Sequence, residues 1–409
     1  MSSTAESLLC RGMRDRLPAE MARFRRIESA FREVCAAWGY GEVRTPTLEH
    51  LHLFTSSGTL SPQLLGRVYS FLDWDGWTGE RVVLRPDATI PVARLFRERL
   101  GGGVAKLCYV QNIFRFSRDE QPRELWQCGA ELIGNTWPAG DVELVLVALD
   151  SLTALGIADA AITLSHGGIV RALLEQAGYT ADERSDLYDR LLDGDLDVMR
   201  ELEARLPALG PGLRLLSDVE DAGVAYIGNL RAAFGDSVPA MNSPLDELEL
   251  IGRTLELAGI EPRINATALR DFEYYTGPVF HLSLGGSEIA AGGRYDRLIS
   301  DAGGTAVPAC GFGLQADRLA ALLGDAGSDA AECLAIAPDG PGAEALARAA
   351  AVARLAHRQG RPAALAPGDP AAPRLSVAAD GELALVGGSG SRLAVASLAE
   401  ALGLLAGSA

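Results

Sequence analysis

Lysine is almost missing from this chain: Lys106 is the only one in 409 residues. Arginine supplies the remaining side-chain cations apart from histidine, and the formal net charge is −17. Nucleic-acid affinity comes from cations that displace counterions from phosphate, so this balance argues against a nucleic-acid partner unless one face is locally basic. Long apolar runs are also missing, since no stretch reaches the roughly 18 apolar residues of a membrane helix. The first residues, Met1-Ser2-Ser3-Thr4-Ala5-Glu6, lack a basic region followed by an apolar one. No secretory signal and no membrane association are therefore expected. The five histidines form no cluster, and Cys10, Cys35, Cys108, Cys128, Cys310 and Cys333 show no metal-type spacing. Scattered thiols of this kind suit a reducing cytoplasm rather than disulfides or zinc, and no metal or cofactor is expected. What remains is an ordinary soluble globular composition, 48% hydrophobic and 22% charged, long enough for two or three domains.

Chemistry is concentrated between residues 270 and 318. Arg270-Asp271-Phe272-Glu273-Tyr274-Tyr275-Thr276-Gly277 leads into Val279, Phe280 and Leu282, which read as a strand. Gly292-Gly293-Arg294-Tyr295-Asp296 follows, then Gly311-Phe312-Gly313-Leu314 running to Arg318. An arginine fork such as Arg270 suits a carboxylate or phosphate, and tyrosine hydroxyls set at fixed depth suit a polar ligand. Taken alone, Tyr274 and Tyr275 read better as ordinary sheet aromatics and Arg270 as a surface charge; the other segments change that balance.

Earlier segments carry the supporting structure. Residues 17 to 38 predict an amphipathic helix, with Pro18 in its first turn and Gly39 as its C-cap. Gly41 to Pro46 reads as a short strand, and residues 68 to 85 as a hairpin turning near Asp75-Gly76. Asp87 precedes a helical run from Ile90 to Leu100. It reads either as an N-cap or, with Thr89, as an acceptor for a ligand ammonium. Strands at 109–116 and 125–131 form a second hairpin in which Gln127, Gly129 and Glu131 share one face by the two-residue period. The missing side chain at Gly129 is expected to leave room between Gln127 and Glu131. Residues 166 to 260 carry helical periodicity, and from about Ser328 strand and helix alternate, with helices over Ala343 to Gln359 and Leu393 to Leu405.

In this order the segments resemble the motifs of class II aminoacyl-tRNA synthetases, and in detail the histidyl-tRNA synthetases. The Arg14-Asp15 turn with Arg44-Thr45-Pro46 resembles the first motif, Phe114-Arg115 through Gln127 the second, and Gly311 through Arg318 the third. Arg270 to Tyr275 is similar to the histidine-recognition segment. The resemblance spans residues 8 to 325. It implies an α+β fold, a class II synthetase-like antiparallel sheet flanked by helices, in a core over residues 1–325 with a helical insertion at about 170–260. Residues 328–409 would form a small α/β domain in the place of the anticodon-binding domain. Carried over position by position, Asp87, Thr89 and Gln127 match residues that hold the histidine ammonium, and Arg270 the one beside its carboxylate. Glu131, Tyr274, Tyr275 and Tyr295 match residues around the imidazole. That ring needs an acceptor for one N–H and a fixed polar partner for the other. Asp87 stands where the synthetases usually carry Glu.

The nucleotide and RNA parts depart from the family. Phe114-Arg115-Phe116-Ser117 lacks the second-motif glutamate, the following loop is about two residues short, and Gln315 replaces a glycine that faces the purine. Arg115 and Arg318 persist as a phosphate-binding remnant. From Ser328 onward six arginines face eight carboxylates with no lysine, which does not suit RNA reading. A histidine pocket without an activation site resembles the regulatory subunits of ATP phosphoribosyltransferase, in the first step of histidine biosynthesis. That resemblance implies a non-catalytic chain, with no catalytic residues of its own and histidine as its effector. Its implied partners are a short-form ATP phosphoribosyltransferase catalytic subunit and a second copy of itself within a cytoplasmic hetero-oligomer. The alternative is a divergent histidyl-tRNA synthetase.

Overall fold

The computed structural model describes residues 8–56, 68–74, 79–116, 122–135, 138–192, 195, 197–218, 222–266, 275–301, 306–324, 333–340, 342–365, 374–387 and 391–406. By its contacts the chain divides into two compact units, Met1–Gly324 and Asp325–Ala409.

In the larger unit, Pro18 starts helix α1 (Pro18–Ala37), whose Phe24, Ile27, Phe31 and Cys35 are buried at three- and four-residue steps. Gly39 follows at φ 81°, the left-handed value that glycine adopts without a Cβ clash. Glu28 is buried on the same helix and held by Arg25 (2.7 Å) and Arg32 (3.2 Å). Strand β1 (Gly41–Glu42) is shorter than the expected strand to Pro46. Then come β2 (Leu48–His50), α2 (Leu51–Ser56), and the expected hairpin as β3 (Ser70–Trp74) and β4 (Gly79–Leu84), paired antiparallel with Trp74 opposite Gly79. Helix α3 (Thr89–Leu95) continues as a π-helical turn over Phe96–Leu100. The second hairpin is β5 (Ala105–Phe114) with β6 (Glu124–Ile133), followed by α4 (Ala139–Ala154) and β7 (Ala161–His166). The helical stretch resolves into α5 (Gly167–Gln176), α6 (Ala181–Leu192), α7 (Asp197–Arg205), α8 (Gly210–Asp218), α9 (Tyr226–Phe234) and α10 (Asn242–Leu257). The unit closes with β8 (Arg263–Ile264), β9 (Pro278–Leu284), β10 (Ser287–Arg294), the single turn α11 (Leu298–Asp301), β11 (Ala309–Gln315) and α12 (Ala316–Leu322).

Eight of these strands form one sheet in the order β1-β5-β6-β11-β10-β9-β7-β8. Its centre is antiparallel, and only the edge pairs β1–β5 and β7–β8 run parallel. Helices α1, α4 and the helical stretch cover one face, where Cys128, Ala130, Leu132, Phe312 and Leu314 meet Phe31, Leu144 and Ile251 in the main core. The other face carries the candidate site and is closed by a smaller cluster around Phe54, Ile90, Ile133 and Tyr295. Lys106 is spent on structure, bonding Glu143 at 2.8 Å and the Trp38 carbonyl at 3.2 Å.

The smaller unit is a five-stranded sheet, order β13-β12-β14-β15-β16, built from β12 (Leu334–Pro338), β13 (Ala363–Leu365), β14 (Arg374–Val377), β15 (Leu383–Val386) and β16 (Arg392–Val395). Helix α13 (Ala343–Arg358) buries Ala345, Ala349, Ala353 and Ala356, a face of methyl groups that lets it lie close to a sheet. The helix expected over Leu393 to Leu405 begins instead at Leu398, as α14 (Leu398–Ala406), because Arg392–Val395 pairs with β15.

Candidate functional site

Strand register builds the site. On the face turned away from α1, Glu131 of β6 lies between Leu107 and Gly311, and Gly293 is the next residue across. Two residues along the strands, Gly129 lies between Tyr109 and Gly313, with Ala291 and His281 beyond. A further step gives Gln127 between Gln111 and Gln315. Side chains alternate faces, so these three rows project to one side. Small residues at the centre make a floor, and the polar residues stand around it.

The glycines are there because neighbouring side chains lie across them. A Cβ at Gly311 would fall 1.6 Å from the Glu131 Oε2, and one at Gly313 would fall 2.0 Å from the Gln127 Nε2. At Gly293 it would meet the Tyr275 ring at 2.9 Å. Gly129 corrects the expectation from the sequence. The space above it is filled by Tyr109, whose ring atom Cζ would sit 2.3 Å from an added Cβ.

Glu131 is fully buried and lies at the centre of a hydroxyl cluster. The Tyr109 hydroxyl donates to its Oε1 at 3.1 Å, the Tyr295 hydroxyl donates to its Oε2, and the Thr89 hydroxyl is within hydrogen-bond reach of both Glu131 and Tyr109. Burial pushes the Glu131 carboxyl up to about 8, against the pull of the Tyr295, Thr89 and Tyr109 hydroxyls and with a further push from Asp87. Gln127 is oriented across the floor, and its Oε1 is buried with no hydrogen-bond partner among the described residues. An orphaned acceptor in a built pocket is costly unless a donor arrives.

Asp87 is buried and caps α3, accepting the Ile90 N–H at 3.1 Å, so the capping reading holds. Burial raises its carboxyl, while nearby Arg115 and the Ile90, Thr89 and Ala88 amides pull it down. Arg115 donates to the Pro86 carbonyl at 3.0 Å. Arg318 donates to the Glu288 carbonyl at 2.6 Å, and Gln315 reaches the Glu288 carboxylate at 3.4 Å, which also contacts His281 Nδ1 at 3.0 Å. Arg115, Gln315 and Arg318 are thus each engaged with the chain's own groups. Tyr275 is buried, its carbonyl accepting from Arg171 at 2.5 Å. Arg270 and Tyr274 lie outside the described residues. Among the described residues no group of three or more His, Cys, Asp or Glu is placed to hold a metal, and no helix is long and apolar enough to cross a membrane.

Sequence reasoning missed Tyr109, Asp141 and Asp317. The alternation that pairs Tyr109 with Gln111 on one face was legible; its register against Gly129 was not. Asp141, at the start of α4, grips Arg294 through a buried two-pronged pair (3.1 and 2.5 Å). Asp317 ties down the N-terminal turn, bonding Arg14 at 3.2 Å, Arg16 at 2.7 Å and the Trp126 N–H at 2.5 Å.

Comparison with known proteins shows the family of this fold. The histidyl-tRNA synthetase family profile matches residues 12–319. An ATP phosphoribosyltransferase regulatory subunit of Dehalococcoides mccartyi is 48% identical over 316 residues, 77% of each chain. A histidine–tRNA ligase of Methanosarcina acetivorans is 34% identical over 76% of this chain and 74% of its own. Among solved structures, an ATP phosphoribosyltransferase regulatory subunit/histidyl-tRNA synthetase from Bacillus halodurans superposes with TM-score 0.74 at 27% identity, covering 89% of this chain and 94% of its own. At 48% identity over three quarters of both chains, on a synthetase-like sheet, this chain belongs to the ATP phosphoribosyltransferase regulatory subunits of the histidyl-tRNA synthetase-like family.

Proposed function

We infer that this chain is the non-catalytic partner of a short-form ATP phosphoribosyltransferase catalytic subunit, and that it senses free histidine in the Glu131 pocket. The observation that carries this reading is the pairing of a satisfied acid with an unsatisfied amide on one sheet face. Glu131, held by Tyr109, Tyr295 and Thr89, faces an imidazole, and the orphaned Gln127 Oε1 accepts from the ammonium together with Asp87 and Thr89. Arg270 takes the carboxylate, and Tyr274 and Tyr275 complete the ring site. Histidine then shifts the catalytic chain by binding one arrangement of the complex more tightly than the other. Dimerisation of the subunit is supported by exposed Leu48, Phe71, Leu72 and Trp74 on the small β2-β4-β3 sheet. Its scattered free thiols suit a cytoplasmic setting.

The test is reconstitution. Added to a short-form catalytic chain, the protein raises phosphoribosyl transfer and makes it histidine-sensitive; no change in either sinks the reading. The second reading, a divergent histidyl-tRNA synthetase, draws on the 34% identical ligase. With histidine, ATP and tRNA it demands pyrophosphate exchange, and Gln315 and Arg318, both engaged with Glu288, speak against that. A point test isolates the ammonium contact. Gly313→Ala drives the Gln127 amide off the floor and raises the histidine concentration for half-maximal inhibition by about tenfold, the loss of one buried hydrogen bond of roughly 1–3 kcal/mol. Unchanged inhibition places the ammonium elsewhere.

A further inference from the structure

We propose that histidine binds here by proton transfer: the empty site holds Glu131 as a neutral acid, and an incoming neutral imidazole takes that proton and is retained as imidazolium against the carboxylate left behind. This rests on the histidine reading above and adds to it the ligand's charge state.

The geometry requires it. Glu131 is fully buried, and the described groups that act on it most strongly, Tyr295, Thr89, Asp87 and Tyr109, are neutral or acidic. Strand β5 presents Tyr109, the segment entering α3 presents Asp87 and Thr89, the end of β10 presents Tyr295, and β11 brings Cys310 within electrostatic range. Two described cations of the neighbouring segments are turned elsewhere: Arg294 is taken by Asp141 and Asp296, and Arg115 acts on Asp87 and the Pro86 carbonyl. With no cation paired to it among the described residues, the buried carboxylate would be among the most costly groups a protein can hold, so it keeps its proton. Burial accordingly raises the Glu131 carboxyl to about 8.

Two phenols donate to the carboxyl, one to each oxygen, with the Thr89 hydroxyl also in reach, so of the carboxylate's four acceptor sites one is left for a ring N–H. On binding, the Glu131 O–H bond breaks, its electron pair stays on oxygen, and the imidazole nitrogen lone pair forms the new N–H bond. The products are a buried ion pair, and no proton enters from solvent. The three hydroxyls then stabilise the carboxylate they already surround.

Proton bookkeeping follows. Between about 6.5, where a free imidazole titrates, and about 8, binding exchanges no proton with solvent. Below that window the effector arrives already charged, so Glu131 must release one proton. Above it the empty site has lost its proton, and one is taken up. Affinity therefore peaks inside the window and falls toward tenfold per pH unit on either side.

Titration calorimetry of the full chain with L-histidine, from pH 5.5 to 8.5 in buffer pairs of different ionisation enthalpy, reads this directly. The expected counts are about one proton released at pH 5.5, near none at pH 7.2, and most of one taken up at pH 8.5. Tyr109→Phe removes a hydroxyl that favours the carboxylate, so the alkaline limb moves up by about half a unit or more. A merely structural Tyr109 lowers affinity equally at every pH. The effector's ammonium titrates in the same alkaline range; Glu131→Gln keeps that contribution and lacks the carboxyl one, so the difference isolates Glu131. Histidine binding with flat affinity and no buffer-dependent heat overturns the proton transfer and leaves the histidine reading standing. No binding at any pH overturns both.

Discussion

Glu131→Gln is expected to stabilise the unliganded chain at pH 8 and to change it little at pH 5. Glutamate in an unfolded chain titrates near 4.5, and burial moves the Glu131 carboxyl to about 8. The folded state therefore binds the proton more tightly than the unfolded state throughout that interval. Stability must fall as pH rises from 4.5 toward 8, because the unfolded chain releases a proton that the fold retains. At pH 8 the accumulated penalty is on the order of 4 kcal/mol. Glutamine keeps an acceptor for the Tyr109 hydroxyl and carries no charge, so it removes the penalty with the shape preserved. Urea denaturation at pH 5, 6.5 and 8 should show the variant's advantage growing at each step. An advantage of equal size at all three would mean that Glu131 is ionised in the folded protein, which contradicts its burial. The same substitution should weaken the histidine response, since an amide cannot donate the proton that charges the ring.

Arg294→Ala should be the most damaging single change outside the pocket, costing about 3–5 kcal/mol. The Arg294 guanidinium grips Asp141 at 3.1 and 2.5 Å and Asp296 at 3.1 Å, with both Arg294 and Asp141 buried. Burial works against its charge and the carboxylates more than offset that, while burial pushes the Asp141 carboxyl up against the pull of Arg294. Removing the cation strands Asp141 in the core beside Cys310. The loss reaches the site through the backbone: the Thr276 N–H donates to the Arg294 carbonyl at 2.7 Å, and the Asp296 N–H donates to Thr276 Oγ1 at 3.0 Å. Tyr295 sits between these anchors, so its hydroxyl should drift from Glu131. Thermal unfolding and histidine response should therefore fail together. Replacing both partners, Arg294→Met with Asp141→Ala, should recover much of the stability, because the main cost is the stranded charge rather than the lost pair. If the double variant is no better than Arg294→Ala, the pair acts through something other than charge compensation.

The tertiary structure gave new meaning to residues the sequence could only place. Asp87 was legible both as a cap and as a ligand contact, and it does cap α3, since one oxygen takes the Ile90 N–H. Gln127, Gly129 and Glu131 were legible as one face of a strand. What fills the gap above Gly129 was not, because Tyr109 is 20 residues away and reaches it only through the β5–β6 register. Gln315 read as a steric intrusion; its bond to Glu288 adds that the amide is held inside the chain's own network.

By itself, the sequence determined the elements of the core and the identity of most of the polar groups. Helix α1 follows from apolar spacing closed by Gly39, the two hairpins from alternation, and the chemistry of the pocket from which side chains carry donors and acceptors. These depend on neighbours a few residues apart, where periodicity and turn chemistry act. Only the tertiary structure decided the burial of Glu131 among hydroxyls, the burial of Gln127 Oε1 without a described partner and the Asp141–Arg294 clamp. Each depends on burial and on partners up to 164 residues away, as Tyr295 is from Glu131. A carboxyl group's charge is set by how much water it has lost and what stands in its place, and neither is written in the residue or its neighbours along the chain.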